Sequence, residues 1–154
     1  MKIKMLVMDV DGTLTDGCIY MGADGEMMKA FHVQDGAGIA NILPELGIVP
    51  VIITGRCSQI VEKRAAELKI TQLYQNVSDK LAKLKEIAGK AGITPEEIAY
   101  IGDDLNDLDC IRYCGCTGCP ADAVPEALNV VDYVCKRSGG RGAVREFIEF
   151  LRHS

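Results

Sequence analysis

Three stretches of the chain are apolar with no polar alternation: Met5-Leu6-Val7-Met8, Ile48-Val49-Pro50-Val51-Ile52-Ile53 and Ile98-Ala99-Tyr100-Ile101. Runs of this kind suit strands buried on both faces of a parallel sheet, whereas a half-exposed strand would alternate. The first is predicted to run over 2–10, and shorter strands are predicted over 72–74, 114–119 and 132–135. Helical segments fall between them. One spans 34–46 and stops at Gly47, with Pro44 expected to kink or shorten its last turn. Ser58 caps a second that runs to about 69. Ser78 or Asp79 caps a third, which puts Lys80 in its first turn. Thr94-Pro95-Glu96-Glu97 starts a short helix, another reaches about 113, a turn lies near 125–128, and a closing helix covers 143–151. Strands alternating with helices predict an α/β fold with a mostly parallel sheet, in one domain over 1–154.

The segment 18–31 breaks this rhythm. Two apolar arms flank Gly22-Ala23-Asp24-Gly25, the pattern of a β-hairpin with a glycine-rich loop. Its arms carry apolar residues on both faces, and an isolated two-stranded hairpin is marginal in water. It is expected to pack against something, and a second copy of the chain is the economical partner.

Each long strand ends in polar groups. Asp9 and Asp11 close the first, Thr54-Gly55-Arg56 the second, and Asp103, Asp104 and Asp107 the third. A parallel sheet brings such ends to one edge, where ligands of these folds collect. Period-two alternation would send the Asp9 and Asp11 side chains to the same side. Two unit charges about 4 Å apart repel by roughly 4 kcal/mol at an effective dielectric near 20. The pair therefore needs a cation, a shared proton or a reason to be strained.

With a net charge of −5 and interspersed acids and bases, neither nucleic-acid nor anionic-membrane binding is expected. No apolar run approaches the roughly 18 residues of a spanning helix, and the N-terminus lacks a signal-peptide cleavage pattern, so a cytoplasmic location is expected. Cys110, Cys114, Cys116 and Cys119 crowd together without paired Cys-x-x-Cys units or a nearby histidine. They are expected to be reduced and to pack as small hydrophobes.

Asp9-x-Asp11-Gly12-Thr13, the apolar-Thr54-Gly55, the helix-start Lys80 and Gly102-Asp103-Asp104-x-x-Asp107, in that order, resemble the haloacid dehalogenase superfamily of phosphatases. The resemblance implies a three-layer Rossmann-like core, and the residue types suit phosphoryl transfer. An aspartate is ionised at neutral pH, so Asp9 can attack phosphorus without an activating base. Asp11 would protonate the leaving oxygen and later take a proton from water. Asp9, the backbone carbonyl of Asp11 and Asp103 offer the hard oxygens that Mg2+ prefers. Thr54 and Lys80, with backbone N–H groups near Gly12 and Gly55, would hold phosphoryl oxygens. Asp104 and Asp107 would surround the metal's waters or hold Lys80, although Asp104 suits a plain helix start equally well.

At finer grain, nearly the whole chain resembles the capless 3-deoxy-D-manno-octulosonate 8-phosphate phosphatases. Asp16-Gly17, Ile19-Tyr20, Lys29-Ala30-Phe31, Asp35-Gly36, Ile53-Thr54-Gly55-Arg56, Arg64 and Gly139-Gly140-Arg141-Gly142-Ala143-Val144-Arg145-Glu146 carry the likeness. It implies a small hairpin in place of a cap, a tetramer built through the hairpins, and a sugar-acid phosphate substrate. Arg56 and Arg64 become candidates for the substrate carboxylate or the neighbouring subunit, although Arg64 on a solvated helix face is the plainer reading. Lys29 becomes a candidate for substrate binding, and with His32 and Gln34 a candidate for reaching across the interface. Thr13 stands where most of that family has valine, and the chain ends soon after Leu151, where many members have a longer tail. Related enzymes act on nine-carbon keto-sugar acid 9-phosphates but tend to carry glutamate at the position of Arg56, which favours the eight-carbon substrate. Two other classes compete. One is a non-catalytic oligomerising module like the tail of some sialic-acid cytidylyltransferases. The other is a receiver domain, whose acidic pair and phosphorylated aspartate come from separate strands.

Overall fold

In the computed structural model, which describes residues 2–154, the chain lays down eight strands. They are β1 (Met5–Met8), β2 (Tyr20–Gly22), β3 (Gly25–Met28), β4 (Val49–Ile53), β5 (Gln72–Tyr74), β6 (Ile98–Ile101), β7 (Cys116–Cys119) and β8 (Tyr133–Val134). Six of them form one sheet in the order β5-β4-β1-β6-β7-β8, and every pairing in it is parallel. β2 and β3 pair antiparallel as a separate hairpin, with a register shift between Tyr20 and Met21. The regular arms are shorter than the apolar pattern over 18–31 predicts.

Two cores sandwich the sheet, and β1 shows why. Leu6 and Met8 face one side with Ile52, Ile39, Leu43, Val61 and Phe147, while Met5 and Val7 face the other with Val51, Leu84, Ile87, Tyr100 and Ile111. The alternation that is invisible in hydropathy is thus present in space, because both faces are buried. The first face is covered by the turn Gly38–Ile42, α2 (Leu43–Leu46), α3 (Gln59–Glu67) and α7 (Ala143–Arg152), with α1 (Val33–Ala37) packed on α7. The second is covered by α4 (Lys80–Ala91), α5 (Leu108–Tyr113) and α6 (Pro125–Leu128).

Residues 34–46 are helical as predicted, but Gly38–Ile42 between α1 and α2 is a π-helical turn. Pro44 has no N–H to donate to the preceding turn, and a widened turn just upstream accommodates that loss without a break. Gly47 ends the segment in the left-handed conformation at φ 70°. Ser58 and Asp79 each cap their helices through the side chain. Helix α7 begins at Gly142, which has no side chain to cap with; Asp35, buried in α1, accepts the Arg145 N–H at 2.9 Å instead. Asp35 therefore joins the first and last helices of the domain.

Candidate active site

Strand β1 stops at Met8, one residue before the first acid. The chain then folds into a tight turn in which the Val10 carbonyl accepts the N–H groups of Thr13, Leu14 and Thr15 at 3.1, 2.9 and 3.1 Å. Asp9 and Asp11 reach one cleft because of this turn, not through strand alternation. Gly12 sits in the turn at φ +90°, and a Cβ there would stand 2.0 Å from Asp103 Oδ2, so no side chain fits. Its N–H donates to Thr15 Oγ1 at 3.2 Å, which occupies the amide expected to face a phosphate. Asp103 follows β6, the neighbour of β1. Thr13 donates to Asp103 Oδ1 at 3.0 Å, an interaction that valine could not make.

Lys80 is the buried hinge of the site. It opens α4 after the Asp79 cap, and its ammonium lies 2.9 Å from both Asp9 Oδ1 and Asp107 Oδ1. Asp107 is fully buried and accepts from Tyr100 Oη and from the backbone N–H groups of Asp103 and Asp104 at 3.0 and 3.1 Å. A Cβ on Gly102 would fall 2.4 Å from Asp107 Cγ, so the glycine is what lets that carboxylate fold under its own loop. Asp107 therefore holds Lys80 and the loop. Asp104 caps the turn Leu105–Asp107 and lines the cleft. Burial works against the charge on Lys80, but Asp9 and Asp107 outweigh it and hold its pKa above the ordinary lysine value. Burial and then Asp107 push the Tyr100 phenol up, keeping it a donor.

Asp9, Asp103 and Asp107 each offer a carboxylate oxygen within 4.8 Å of the others, a spacing that can hold a metal ion. Asp107 is saturated with donors, whereas Lys80 and Thr13 take only one oxygen each of Asp9 and Asp103. The chemistry fits a small hard cation between those two carboxylates. The electrostatics agree. Burial, then the charge of Asp107, lifts Asp9 from 3.8 to about 6. Burial, then the charge of Asp9, lifts Asp103 to about 8.

These upward shifts set the sign of a pH dependence. Without metal, the folded chain keeps protons that the unfolded chain loses above about pH 4, so stability falls as pH rises until the folded values near 6 and 8 are passed. The Tm in chelator is expected to drop between pH 5 and pH 8. Mg2+ is expected to raise Tm more at pH 8 than at pH 6, because binding then displaces fewer protons. Scanning calorimetry across that range, with Asp103→Asn losing most of the slope, checks both. A chelated Tm that rises over the interval contradicts the assignment.

A cleft of about 140 Å³ opens above these groups, lined by Asp9, Asp11, Thr54, Gly55, Arg56, Asp104 and Asn106. Thr54 is buried at the end of β4, its backbone held by Tyr74 and Val77. The hairpin folds back onto the rim of the cleft. Lys29, its ammonium stem 1% exposed, lies 2.6 Å from Asp11 and 3.0 Å from Glu26. Arg56 lies 3.6 Å from Glu26 and 4.0 Å from Asp11, and Ser58 donates to Glu26 at 2.8 Å. Lys29 thus bonds an acid that lines its own chain's cleft. Arg64 stands apart: it lies over the Phe31 ring, with Nη1 on Glu67, and does not line this cleft. His32 caps α1, and Gln34 accepts from Arg137.

Thr13 stood in the first motif without an assigned role, and Glu26 and Tyr100 are site residues that the motifs did not single out. The latter two become meaningful only once the hairpin and β6 are in place.

The profile of the haloacid dehalogenase-like hydrolases matches residues 52–148. The chain is 48% identical over 150 residues to the 3-deoxy-D-manno-octulosonate 8-phosphate phosphatase KdsC of Escherichia coli K12, covering 97% of this chain and 79% of that protein. The crystal structure of the phosphatase of that name from Yersinia pestis superposes with a TM-score of 0.93 at 46% identity, over 97% of this chain and 80% of that one. That from Moraxella catarrhalis, in complex with a magnesium ion, a phosphate ion and a KDO molecule, superposes with a TM-score of 0.94 at 43% identity, over 98% of this chain and 86% of that one. With matches of this extent across sheet, hairpin and cleft, the chain belongs to the haloacid dehalogenase-like hydrolases, beside the 3-deoxy-D-manno-octulosonate 8-phosphate phosphatases.

Proposed function

We propose that this chain is a Mg2+-dependent phosphatase of a keto-sugar acid phosphate, 3-deoxy-D-manno-octulosonate 8-phosphate first among them. The observation that carries the reading is the meeting of Asp9 and Asp103 at the ends of adjacent strands, with Lys80 bonded to Oδ1 of Asp9. Lys80 fixes the Asp9 carboxylate through Oδ1, which leaves the other oxygen to attack phosphorus. The new O–P bond forms as the bond to the sugar oxygen breaks, giving an aspartyl phosphate on Asp9. Asp11, across the cleft, delivers the proton that the sugar oxygen needs, then accepts one from the water that cleaves the acyl phosphate. Lys29 holds Asp11 by one oxygen and fixes which face it presents. Thr54 and the Gly55 amide, at the wall of the cleft, suit the equatorial phosphoryl oxygens. Asp9, Asp103 and the Asp11 carbonyl would hold Mg2+, whose charge would offset the carboxylates and the phosphoryl group. Arg56, half exposed at the rim, suits the substrate carboxylate.

At about 140 Å³ the cleft is smaller than the roughly 300–1,000 Å³ of complete small-molecule sites. A second copy supplies the missing walls in this reading. Five exposed apolar side chains, Ile19, Met21, Met27, Met28 and Val33, lie on or beside the hairpin, with Met27 at 69% and Val33 at 82%. Hairpin-to-hairpin assembly into a tetramer would cover them. The domain is then a single catalytic unit over 1–154, and Arg64, held by Phe31, Glu67 and the His32 carbonyl, stands outside its own cleft. Seven free thiols and no helix able to cross a membrane among the described residues support a cytoplasmic enzyme.

Two measurements test this. Phosphate release from a panel of eight- and nine-carbon keto-acid phosphates and simple sugar phosphates should be Mg2+-dependent and highest for the eight-carbon ester; preference for the nine-carbon ester overturns the substrate. Light scattering should show an oligomer for the wild type and a smaller species for Met21→Asp/Met27→Asp. A monomeric wild type overturns the assembly.

A further inference from the structure

The two loops that carry the acids are joined through two loops that carry no chemistry. Thr13 in the first donates its hydroxyl to Asp103 in the second at 3.0 Å. The Thr13 carbonyl accepts the N–H of Gly140 at 3.1 Å. One residue earlier, the Gly139 N–H donates to Asp122 Oδ1 at 3.0 Å. The loop bearing Asp122 returns to the start, since the Val124 N–H donates to the Asp103 carbonyl at 2.9 Å. These bonds close a ring that runs Thr13, Asp103, Val124, Asp122, Gly139, Gly140 and back to Thr13.

Sterics tighten the same ring. A Cβ on Gly139 would stand 1.9 Å from the Gly12 carbonyl oxygen, and one on Gly12 would stand 2.0 Å from Asp103 Oδ2. Asp103, Gly12 and Gly139 are therefore stacked with no room for a methyl group in either gap. Gly140, at φ +68°, approaches the next stretch of the same turn, where a Cβ would meet Asp16 N at 2.4 Å. None of Asp122, Gly139 and Gly140 lines the cleft.

We propose that Asp122 and the Gly139-Gly140 pair are positioning residues for the phosphatase reaction, setting the spacing of the Asp9-Asp11 turn against Asp103. The proposal rests on the reading of Asp9 and Asp103 as the cation's ligands. Mg2+ demands near-ideal octahedral geometry at short distances, and catalytic constellations tolerate displacements of only about 0.5 Å. A turn pushed off Asp103 by a methyl group exceeds that tolerance. The ring thus links residues near the end of the chain to a metal site built mainly near its start.

The test uses the full chain as Asp122→Ala, Asp122→Asn and Gly139→Ala. Asp122 is exposed, so its truncation leaves the core packing alone. Four quantities are read: Mn2+ affinity by electron paramagnetic resonance without substrate, kcat and KM on an eight-carbon keto-acid phosphate, amide hydrogen exchange over 12–17, and Tm. Asp122→Ala should weaken Mn2+ binding and lower kcat by about 10-fold, speed exchange at 12–17, and leave KM and Tm little changed. Asp122→Asn still presents an oxygen to the Gly139 N–H and should restore all of these. Gly139→Ala should lose on the order of 100-fold in Mn2+ affinity; if it does not fold, Asp122→Ala decides. Unchanged Mn2+ affinity and exchange in Asp122→Ala overturn the proposal, as does Asp122→Asn behaving like alanine. A wild type that binds Mn2+ but hydrolyses no phosphate ester overturns the phosphatase reading instead, and the metal and exchange measurements still judge the ring.

Discussion

Asp9→Asn is expected to abolish phosphate release while leaving the chain folded, and in chelator it should melt no lower than the wild type. The amide keeps the size of the side chain and an oxygen for Lys80, so the bond at 2.9 Å survives in neutral form. What disappears is the charged oxygen that attacks phosphorus. The loss should be on the order of 10⁴-fold or more in kcat, the scale on which removing a covalent nucleophile acts. The thermal result has a separate cause. Burial, and then Asp107, raises Asp9 to about 6, so its charge at neutral pH opposes folding until a cation arrives. Asparagine removes that penalty along with the activity. Mg2+ should consequently stabilise the mutant less than the wild type. Rapid-quench trapping of labelled phosphoenzyme, run beside calorimetry, separates the two effects. A mutant that still turns over at a tenth of the wild-type rate would falsify the nucleophile assignment.

The parts of this site that could be read from the chain are those where one strand or one helix start does the placing. Asp9, Thr54 and Asp103 follow apolar runs that suit buried parallel strands, and such strands deliver their ends to one edge. Lys80 follows a cap, and a lysine in a first helical turn is disfavoured by the helix dipole unless anions await it; Asp9 and Asp107 are those anions. What could not be read depends on contacts between elements far apart in sequence. Nothing local says that Glu26 and Lys29 fold back to Asp11 and Arg56, since that follows from where the hairpin leans. Tyr100 looks like one more apolar residue of its strand, and its phenol matters only because Asp107 is turned beneath Gly102. The placement of Arg64 on Phe31 was likewise hidden, because helix periodicity does not say what the neighbouring loop presents. The π-helical turn before Pro44 is the milder case: the missing donor was legible, but a widened turn and a kink answer it equally well.

Lys80→Met should be the most damaging single change to the fold. The substitution keeps an unbranched side chain of similar length and removes only the ammonium, so the packing of α4 is little disturbed. It leaves Asp9 and Asp107 facing the same buried gap with no cation between them. Removing one partner of a buried ion pair costs about 3–5 kcal/mol, a large share of the roughly 5–15 kcal/mol that holds a typical domain together. Burial disfavours the lysine's own charge, yet the two carboxylates hold its pKa above the ordinary value, so the ammonium is favoured in the folded chain. Urea denaturation at pH 7 should show that loss, and activity should vanish even where the protein remains folded. The deficit should shrink toward pH 5, where Asp9, already lifted to about 6, takes up a proton and ceases to need a counter-charge. Combining Lys80→Met with Asp9→Asn should recover part of the stability at pH 7 and none of the activity, because one uncompensated charge has gone with the nucleophile. If Lys80→Met costs under about 1 kcal/mol at pH 7, as an exposed ion pair would, then Lys80 is not the counter-charge on which the acidic centre depends.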